Sequence, residues 1–298
     1  MSIRTTIIRK LVARYMVGWS EGPIEEQRAR QEKRVRYIPL PADVQCQPTN
    51  ADGVPVEWIA APGADSGVMV YLHGGAYTIG SINTARELAA RLARATNTRA
   101  LAADYRLAPE HPHPAAIEDT LTVYHWLCRE VDPSRIIIAG DSAGGGLTLA
   151  TLVALRDAGE PLPAGAVCIS PWTDLALTGD SIQSKATADP ILDPDSLAMY
   201  ARYYARDNEL TAPLLSPLYA DLQGLPSLLI QVGTEEILLD DTVRCADKAR
   251  EAGVDVTLEV WNEMFHVFQM LPFFPETKKA VERIAAFVSQ RLIVPTKI

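Results

Sequence analysis

Residues 136–146 read Ile-Ile-Ile-Ala-Gly-Asp-Ser-Ala-Gly-Gly-Gly, and this stretch decides the fold. Its apolar start predicts a buried strand, and the segment from Ala143 to Asp157 is predicted to be helical. Between the two lies Gly140-Asp-Ser-Ala-Gly144, a pattern that is typical of a serine on a sharp strand-to-helix turn. Bulky side chains two positions before or after the serine would obstruct that turn. The pattern therefore predicts that Ser142 stands clear of the backbone at the helix N-terminus, where partial positive charge favours a developing oxyanion.

Short apolar runs alternate with helical segments on both sides of this turn. Further strands are predicted at Val68–Leu72, Arg99–Ala103, Arg135–Ala139, Ala166–Ile169, Ser227–Val232 and Val254–Val260. Further helices are predicted at Thr84–Ala95, Ala115–Glu130 and Glu276–Arg291. Such alternation is typical of an α/β fold, in which a mostly parallel sheet is covered by helices on both faces.

Length, composition and charge limit the classes of function open to the chain. Its 298 residues are 48% hydrophobic and 22% charged, which is ordinary for a globular protein. The net charge of −9 argues against nucleic acid as a partner, because phosphate binding needs clustered basic side chains. No run of about 18 apolar residues occurs, so no stable membrane insertion is expected. The four cysteines form no CxxC pair, and without a secretory signal we expect reduced thiols and a cytoplasmic protein.

The N-terminal segment lies outside the alternating pattern. Apolar residues from Ile7 to Trp19 recur at helical spacing with basic residues opposite, which favours an amphipathic helix packed on its own domain. Binding to a membrane surface is the alternative interpretation. The charged stretch from Glu21 to Arg36 is interpreted as a solvated helix or a linker.

A second exceptional segment separates two of the predicted strands. The distance from Ile169 to Ser227 is far longer than a connection with one crossover helix requires. Long excursions from a compact sheet are commonly lids or binding elements. We therefore expect residues 1–45 to form cap helices and a linker. Residues 46–298 are expected to form the catalytic domain, with a cap insertion at about 177–215.

A serine nucleophile needs a base, and the chain has five histidines. Four of them precede the serine, namely His73, His111, His113 and His125. In folds with this turn the catalytic residues run serine, acid, histidine along the chain, and only His266 satisfies that order. The acid should follow the penultimate strand and accept the other imidazole N–H. Four residues qualify by position, and reasoning from the residues alone does not rank them: Glu235, Glu236, Asp240 and Asp241.

Backbone N–H groups that could stabilise an oxyanion are predicted at two places. Ala143 follows the serine and supplies one of them. The loop His73-Gly-Gly-Ala76 comes directly after a predicted strand, and its glycines leave the N–H groups of Gly74 and Gly75 unobstructed. A simple turn is the alternative interpretation of these two glycines.

Together these residues resemble the hormone-sensitive-lipase-like family of serine esterases, also called bacterial esterase family IV, of the α/β-hydrolase superfamily. The matching motifs are His73-Gly-Gly-Ala-Tyr77, Asp104-Tyr-Arg-Leu-Ala-Pro-Glu110, Gly140-Asp-Ser-Ala-Gly-Gly145, Ser170-Pro-Trp-Thr-Asp174 and Gly253 to His266. The resemblance implies an eight-stranded α/β-hydrolase sheet with a helical cap. It also implies hydrolysis of short- to medium-chain esters, small-molecule substrates, through an acyl-enzyme intermediate and without metal or organic cofactor.

The resemblance also ranks the four candidate acids. The family pattern after this strand is Gly, two residues, Asp, any, Leu, any, Asp. The segment Gly233-Thr-Glu-Glu-Ile-Leu-Leu-Asp240 therefore places Glu236 at the catalytic position, with a carboxylate one methylene longer, and leaves Asp240 as the second candidate. Ala76 stands where the family has a third glycine, and its backbone amide is unchanged. Three further residues are expected to line the substrate pocket: Tyr77, Trp172 and Tyr200.

Two other functions are compatible with parts of this pattern. Plant gibberellin receptors resemble the same family but bind their ligand without hydrolysis, having lost the catalytic histidine. Because His266 is present here, an enzyme is favoured over such a binding protein. An amidase would use the same three residues and stays open, as does a homo-oligomer.

Overall fold

The computed structural model describes residues 9–14 and 20–292, and its centre is an eight-stranded sheet. The strands are β1 (Gln45–Ala51), β2 (Val54–Ala60), β3 (Val68–Leu72), β4 (Arg99–Ala103), β5 (Ile136–Asp141), β6 (Gly165–Ile169), β7 (Leu228–Gly233) and β8 (Val256–Trp261). Their order across the sheet is β1-β2-β4-β3-β5-β6-β7-β8. Strands β3 to β8 are parallel, whereas β2 is antiparallel to both of its neighbours. The mostly parallel α/β sheet of eight strands is confirmed.

Helices cover both faces of this sheet. In chain order the helices outside the N-terminal residues 9–14 are α1 (Ile24–Val35), α2 (Ile82–Thr96), α3 (Ala115–Cys128), α4 (Ala143–Asp157), α5 (Ser181–Ser184), α6 (Pro194–Ala205), α7 (Leu239–Glu251) and α8 (Pro275–Arg291). Of these, α1 lies in the N-terminal segment, and α5 and α6 lie in the insertion between β6 and β7. Alternate side chains of β3 enter two different cores: Val70 belongs to the core that includes apolar residues of α3, α4 and α7, and Tyr71 belongs to the core that includes those of α2 and α8. This division follows from strand geometry, because successive side chains point to opposite faces. Burial on both faces explains why β3, β5 and β6 read as continuous apolar runs.

The interpretation of Glu21 to Arg36 as a solvated helix or linker is wrong in part. The segment contains α1, which buries one face made of Ile24, Gln27, Gln31 and Val35. Because two of these buried residues are polar, the hydropathy pattern of the sequence does not reveal the buried face. Their amides are satisfied by hydrogen bonds: Gln27 Nε2 donates to the Gly22 carbonyl at 2.8 Å, and Gln31 Oε1 accepts from the Gly80 N–H at 3.0 Å.

The two segments expected to form a cap contact the rest of the chain at defined points. Of the amphipathic segment from Ile7 to Trp19, residues 9–14 are helical, and the others lie outside the described residues. Val12 packs against the apolar cluster that includes Phe265 and Phe268, next to His266. The Tyr200 hydroxyl of α6 donates to Gln27 Oε1 of α1 at 2.6 Å. Within the described ranges, no helix is both long enough and apolar enough to cross a bilayer.

Candidate active site

Ser142 stands on the turn between β5 and α4, and its backbone is strained. Its φ of 55° and ψ of −121° lie in a region that residues with a Cβ rarely adopt. Hydrogen bonds from the next strand's end fix this conformation: the Ser142 N–H donates to the Ile169 carbonyl at 2.8 Å, and the Ser142 carbonyl accepts from the Trp172 N–H at 3.0 Å. The strain is thus held by backbone pairing with the segment that follows β6.

The glycines around Ser142 are required by close backbone approaches. A Cβ on Gly140 would lie 2.3 Å from the Gly144 carbonyl oxygen, and a Cβ on Gly144 would lie 2.0 Å from that of Leu72. A Cβ on Gly146 would lie 2.1 Å from the Trp172 carbonyl oxygen. Since these neighbours are backbone atoms, they cannot swing aside as a flexible side chain could. The turn therefore fits only if these positions carry no side chain.

The glycine loop after β3 lies directly against this turn. A Cβ on Gly74 would lie 3.1 Å from the Ser142 Cβ and 2.3 Å from Asp141 Oδ2. The buried Asp141 carboxylate also accepts a hydrogen bond from the Tyr71 hydroxyl at 2.8 Å, and burial raises its pKa. Gly75 has a φ of 122°, and a Cβ there would lie 2.0 Å from the Ile79 carbonyl oxygen. The loop at Gly74 therefore lies against Ser142, and the role of its N–H groups stays a prediction.

His266 and Glu236 form a buried hydrogen-bonded pair. His266 Nδ1 lies 2.8 Å from Glu236 Oε2, and the two side chains are 4% and 0% exposed. The other oxygen, Glu236 Oε1, accepts from the Gly233 N–H at 2.6 Å and from the Ser170 hydroxyl at 2.8 Å. Because both of its oxygens have hydrogen-bond partners, the buried carboxylate is held in one orientation. A fixed carboxylate is what is needed to orient an imidazole.

The other three candidate acids have different partners. Glu235 lies 3.5 Å from the Lys185 ammonium. Asp240 Oδ2 accepts from the Ser181 N–H at 2.8 Å, and Asp241 Oδ2 accepts from the N–H of Thr173 at 3.0 Å. Glu236, which the family pattern ranked first, is the acid that the structure places at His266, whereas Asp240 supports the insertion.

Three carboxylates set the electrostatics of His266. Burial by itself opposes protonation of the imidazole, because it penalises the charged form. The hydrogen bond and the charge of Glu236, together with the charges of Asp189 and Asp141, outweigh burial and raise the pKa of His266. These carboxylates would therefore stabilise the imidazolium that forms when a histidine takes a proton from a serine.

Ser170 is a residue of this site that the sequence reasoning left without a role. It follows β6 directly, with a φ of 45°. Its hydroxyl donates to Glu236 Oε1 at 2.8 Å and accepts from the Val267 N–H at 3.2 Å. It thus joins the loop that carries the acid to the loop that carries His266. Its position is the signal that could have identified it. Ser170 follows a strand that lies between β5 and β7 in a parallel sheet, and functional residues collect at the carboxyl ends of such strands.

The three residues predicted to line the substrate pocket are all buried. The ring of Tyr77 stacks on that of Tyr204, with 3.9 Å between centroids. Trp172 Nε1 donates to the Asp174 carbonyl at 3.2 Å, and Tyr200 is hydrogen-bonded to Gln27 as described above. A contact between any of the three and a substrate stays a prediction. Among the residues that the structure describes, no group of three His, Cys, Asp or Glu side chains is placed to bind a metal ion.

Comparison with known proteins adds the family to this geometry. Residues 69–270 match a protein family described as having the alpha/beta hydrolase fold. The chain is 46% identical over 234 residues to an acetyl-hydrolase of Streptomyces hygroscopicus, covering 78% of each protein. It is 39% identical over 257 residues to an esterase of Acinetobacter venetianus, covering 85% of each.

Similarity to a solved structure extends over nearly the whole chain. That structure is an esterase from the bacterial hormone-sensitive lipase family, with a TM-score of 0.93 and 46% identity. The match covers 98% of this chain and 99% of that chain. The chain belongs to this family. It is therefore a serine carboxylesterase of the α/β-hydrolase fold, and the family and fold that the motifs implied are confirmed.

The residues of this esterase that match the family contain the site described above. The matched range, 69–270, begins in β3 and ends just after the loop of His266. It includes both glycine motifs and the pair formed by His266 and Glu236. The motif from Asp104 to Glu110 contributes ion pairs to other segments of the chain. Arg106 forms an ion pair with Asp119 at 2.7 Å, and Glu110 forms one with Arg28 at 2.8 Å.

Proposed function

We propose that the esterase hydrolyses short- to medium-chain carboxylic esters with Ser142 as nucleophile, His266 as base and Glu236 as acid. The observation that carries the proposal is the buried hydrogen bond of 2.8 Å between His266 and Glu236. Of the four candidate acids, only Glu236 has this partner among the contacts described above. The glycine turn with its strained serine supports the assignment of the nucleophile.

The first half of the reaction forms an acyl-enzyme. His266 Nε2 takes the proton of the Ser142 hydroxyl while Ser142 Oγ bonds to the carbonyl carbon of the ester. The resulting tetrahedral intermediate collapses as its bond to the alcohol oxygen breaks. The imidazolium of His266 gives its proton to that oxygen, and the alcohol leaves. Glu236 accepts the Nδ1–H of His266 throughout, which fixes the tautomer and stabilises the imidazolium.

The second half of the reaction releases the acid. A water molecule loses a proton to His266 Nε2 and attacks the carbonyl carbon of the acyl-enzyme. The second tetrahedral intermediate collapses with the proton returning to Ser142 Oγ, so that free enzyme and the carboxylic acid are produced. Neither half requires a metal or an organic cofactor.

We propose that the N–H groups of Gly74, Gly75 and Ala143 bind the oxyanion of both intermediates. Ala143 is the first residue of α4, where N–H groups have no partner within the helix. Gly74 lies against Ser142, since a Cβ added to this glycine would be only 3.1 Å from the Ser142 Cβ. Preorganised donors at such a position stabilise charge that develops in the transition state.

We also propose that residues 1–45 and the insertion at 177–215 cover the acyl-binding side of the catalytic domain. The hydrogen bond between Tyr200 and Gln27 links the two segments. Val12 packs against the apolar cluster that contains Phe265, the residue before His266, and this packing supports the proposal. The acetyl-hydrolase among the relatives supports a short acyl group.

The test is a panel of p-nitrophenyl esters from acetate to palmitate, assayed with the wild-type esterase and with Ser142→Ala. We expect the highest kcat/KM at short to medium chain length, and a loss of several orders of magnitude in kcat for the variant. A phosphonate ester should label Ser142 in the wild type. Near-normal turnover by Ser142→Ala, or labelling of another residue, would reject the mechanism. A preference for the matching p-nitroanilide would identify an amidase instead.

We propose a cytoplasmic location for the protein. All four cysteines are free thiols, and Cys168 and Cys245 are buried. Free thiols are typical of a reducing compartment. Immunodetection after cell fractionation tests the proposal, and recovery in a secreted or membrane fraction would reject it.

A further inference from the structure

Asp189 is a buried carboxylate in the insertion between β6 and β7, and three backbone N–H groups converge on it. Its Oδ1 accepts from Ile191 at 2.9 Å and from Leu192 at 3.1 Å. Its Oδ2 accepts from Ile237 at 3.0 Å. The side chain is only 8% exposed, and burial raises its pKa to about 6. Two of these bonds shape the insertion itself, whereas the third reaches the chain beyond β7.

That third bond fixes the peptide group next to the acid. The Ile237 nitrogen belongs to the peptide bond formed with Glu236, so its position sets the direction from which the Glu236 side chain begins. The insertion also binds the other side of the residue, because the Ser181 hydroxyl donates to the Ile237 carbonyl at 2.6 Å. The backbone beside Glu236 is therefore held from the insertion on both its donor and its acceptor side.

The charge of Asp189 acts on His266 as well. Three carboxylates favour protonation of the imidazole: Glu236 after β7, Asp189 from the insertion and Asp141 from β5. Among the described residues, two cations pair with the neighbouring Glu235: Lys185 at 3.5 Å and Arg9 at 3.7 Å. The negative charge of Asp189 consequently favours the protonated form of His266.

We propose that Asp189 is a positioning residue of the hydrolytic reaction, which ties the insertion to the peptide of Glu236 and adds a second carboxylate to the field at His266. The inference rests on the proposed roles of Ser142, His266 and Glu236. Through this residue the insertion does more than cover the substrate, because it also orients the acid and sets the basicity of the base.

The test compares Asp189→Asn with Asp193→Asn. Asparagine has one acceptor oxygen, which can keep the bonds to Ile191 and Leu192 but presents an NH₂ group to the Ile237 N–H. Asp193 lies in the same insertion and accepts the Ser196 N–H at 2.8 Å at the start of α6. Asp193→Asn therefore also removes an aspartate of the insertion that accepts a backbone N–H, but its partner lies at the start of α6 rather than next to Glu236.

We expect Asp189→Asn to lower kcat for p-nitrophenyl acetate about 10–100-fold, the size of effect that a small misplacement of a catalytic group produces. KM should stay within about twofold, because no substrate contact is removed. The acid limb of the pH profile of kcat/KM should move to lower pH, because removal of a negative charge lowers the pKa of His266. Asp193→Asn should match the wild type in all three quantities.

The proposal would be overturned if folded Asp189→Asn had an unchanged kcat or an unmoved acid limb. It would also be overturned if KM rose by as much as kcat fell. If circular dichroism shows that this variant does not fold, Asp189→Glu carries the test. Its charge is retained, so the acid limb should stay in place, while kcat falls because the longer arm displaces Ile237. A wild-type kcat or a shifted limb would then overturn the proposal. Activity of Ser142→Ala would instead reject the reaction mechanism on which the inference rests.

Discussion

The nucleophile turn (residues 140–146) and the acid loop (residues 234–241) follow parallel strands at the same edge of the sheet, yet different forces shape them. In the turn, backbone atoms approach so closely that a Cβ on Gly144 would lie 2.0 Å from the Leu72 carbonyl oxygen. In the acid loop, donors surround buried carboxylates, as the Gly233 N–H and the Ser170 hydroxyl surround Glu236. The turn therefore excludes added volume, whereas the loop depends on charge and on hydrogen-bond donors.

This difference explains which departures from the family pattern the chain tolerates. Glu236 stands where the family has aspartate, and its extra methylene still allows a 2.8 Å contact with His266. A carboxylate can reach the same donors from a slightly longer arm. Gly140 and Gly144 have no comparable freedom, because the atoms that limit them are backbone carbonyls.

The largest effect is expected from loss of charge in the acid loop. Glu236→Gln keeps the volume but removes the carboxylate that orients His266 and stabilises its protonated form, so kcat should fall by about four orders of magnitude. Asp240→Asn should cost only a few-fold, because Asp240 accepts the Ser181 N–H, whereas Glu236 holds His266. The measurement is kcat for both variants at one pH, with thermal melts as the control for folding. An inactive Asp240→Asn beside an active Glu236→Gln would reverse the assignment.

A single added methyl group in the turn is expected to have the next largest effect. Gly144→Ala should destabilise the fold by about 1–3 kcal/mol or more, because the strand end at Leu72 and the turn must separate. The melting temperature should fall by several degrees, at roughly 2–4 °C per kcal/mol. Gly165→Ala is the control, since its nearest neighbour, the Ser227 carbonyl oxygen, is 3.1 Å from the added Cβ. Equal melting temperatures for the two variants would contradict a steric origin.

The pH dependence of the wild type measures the combined effect of three carboxylates on His266, which come from the acid loop, the nucleophile turn and the insertion. Because Glu236, Asp189 and Asp141 raise the pKa of His266, the imidazole stays protonated to higher pH than free histidine. A protonated imidazole cannot act as base, so kcat/KM should fall on the acid side with a midpoint above the ordinary histidine value of about 6.5. A midpoint at or below that value would show that burial outweighs the carboxylates.

The smallest effect is expected on the free energy of unfolding. It comes from Asp241, a carboxylate of the acid loop that accepts the Thr173 N–H. Burial, and then the charge of Asp174, raise the pKa of Asp241 to about 8. The folded state thus binds this proton more tightly than the unfolded state, so the contribution of Asp241 to stability is complete below about pH 4 and is lost as pH rises toward 8. Asp241→Asn removes the titration. Relative to the wild type, its free energy of unfolding should rise on the order of 1 kcal/mol between pH 5 and 6, measured by chemical denaturation. A constant difference across that range would contradict the shifted pKa.

The central strands and the nucleophile turn could be predicted from the sequence because local signals specify them. Continuous apolar runs marked β3, β5 and β6, and the glycines marked the turn. By contrast, β1 has the mostly polar sequence Gln-Cys-Gln-Pro-Thr-Asn-Ala, and its register with β2 depends on pairing rather than on composition. The buried face of α1 was missed for the same reason, since Gln27 and Gln31 are polar.

The candidate site could be predicted only as far as single residues carry a signal. Chain order identified His266, because the other histidines precede Ser142. The acid was different: the four candidates lie within seven positions of one another, from 235 to 241. The one that meets His266 is Glu236, whose other oxygen is held by Ser170, 66 positions away in sequence. Only the family pattern could rank them. Ser170 begins one of the family motifs, but the motif does not reveal its bond to Glu236, and no local pattern points to Asp189.

The bonds of Ser170 also bear on how the chain refolds. Its contact with Glu236 joins residues 66 positions apart, and its contact with Val267 joins residues 97 apart. Such long-range contacts form slowly, because the entropy of closing a large loop must be lost before the contact compensates for it. Helices such as α4 need only local contacts. After dilution from denaturant, helical circular dichroism should therefore recover before esterase activity does, and recovered activity reports that β5, β6 and β7 have assembled.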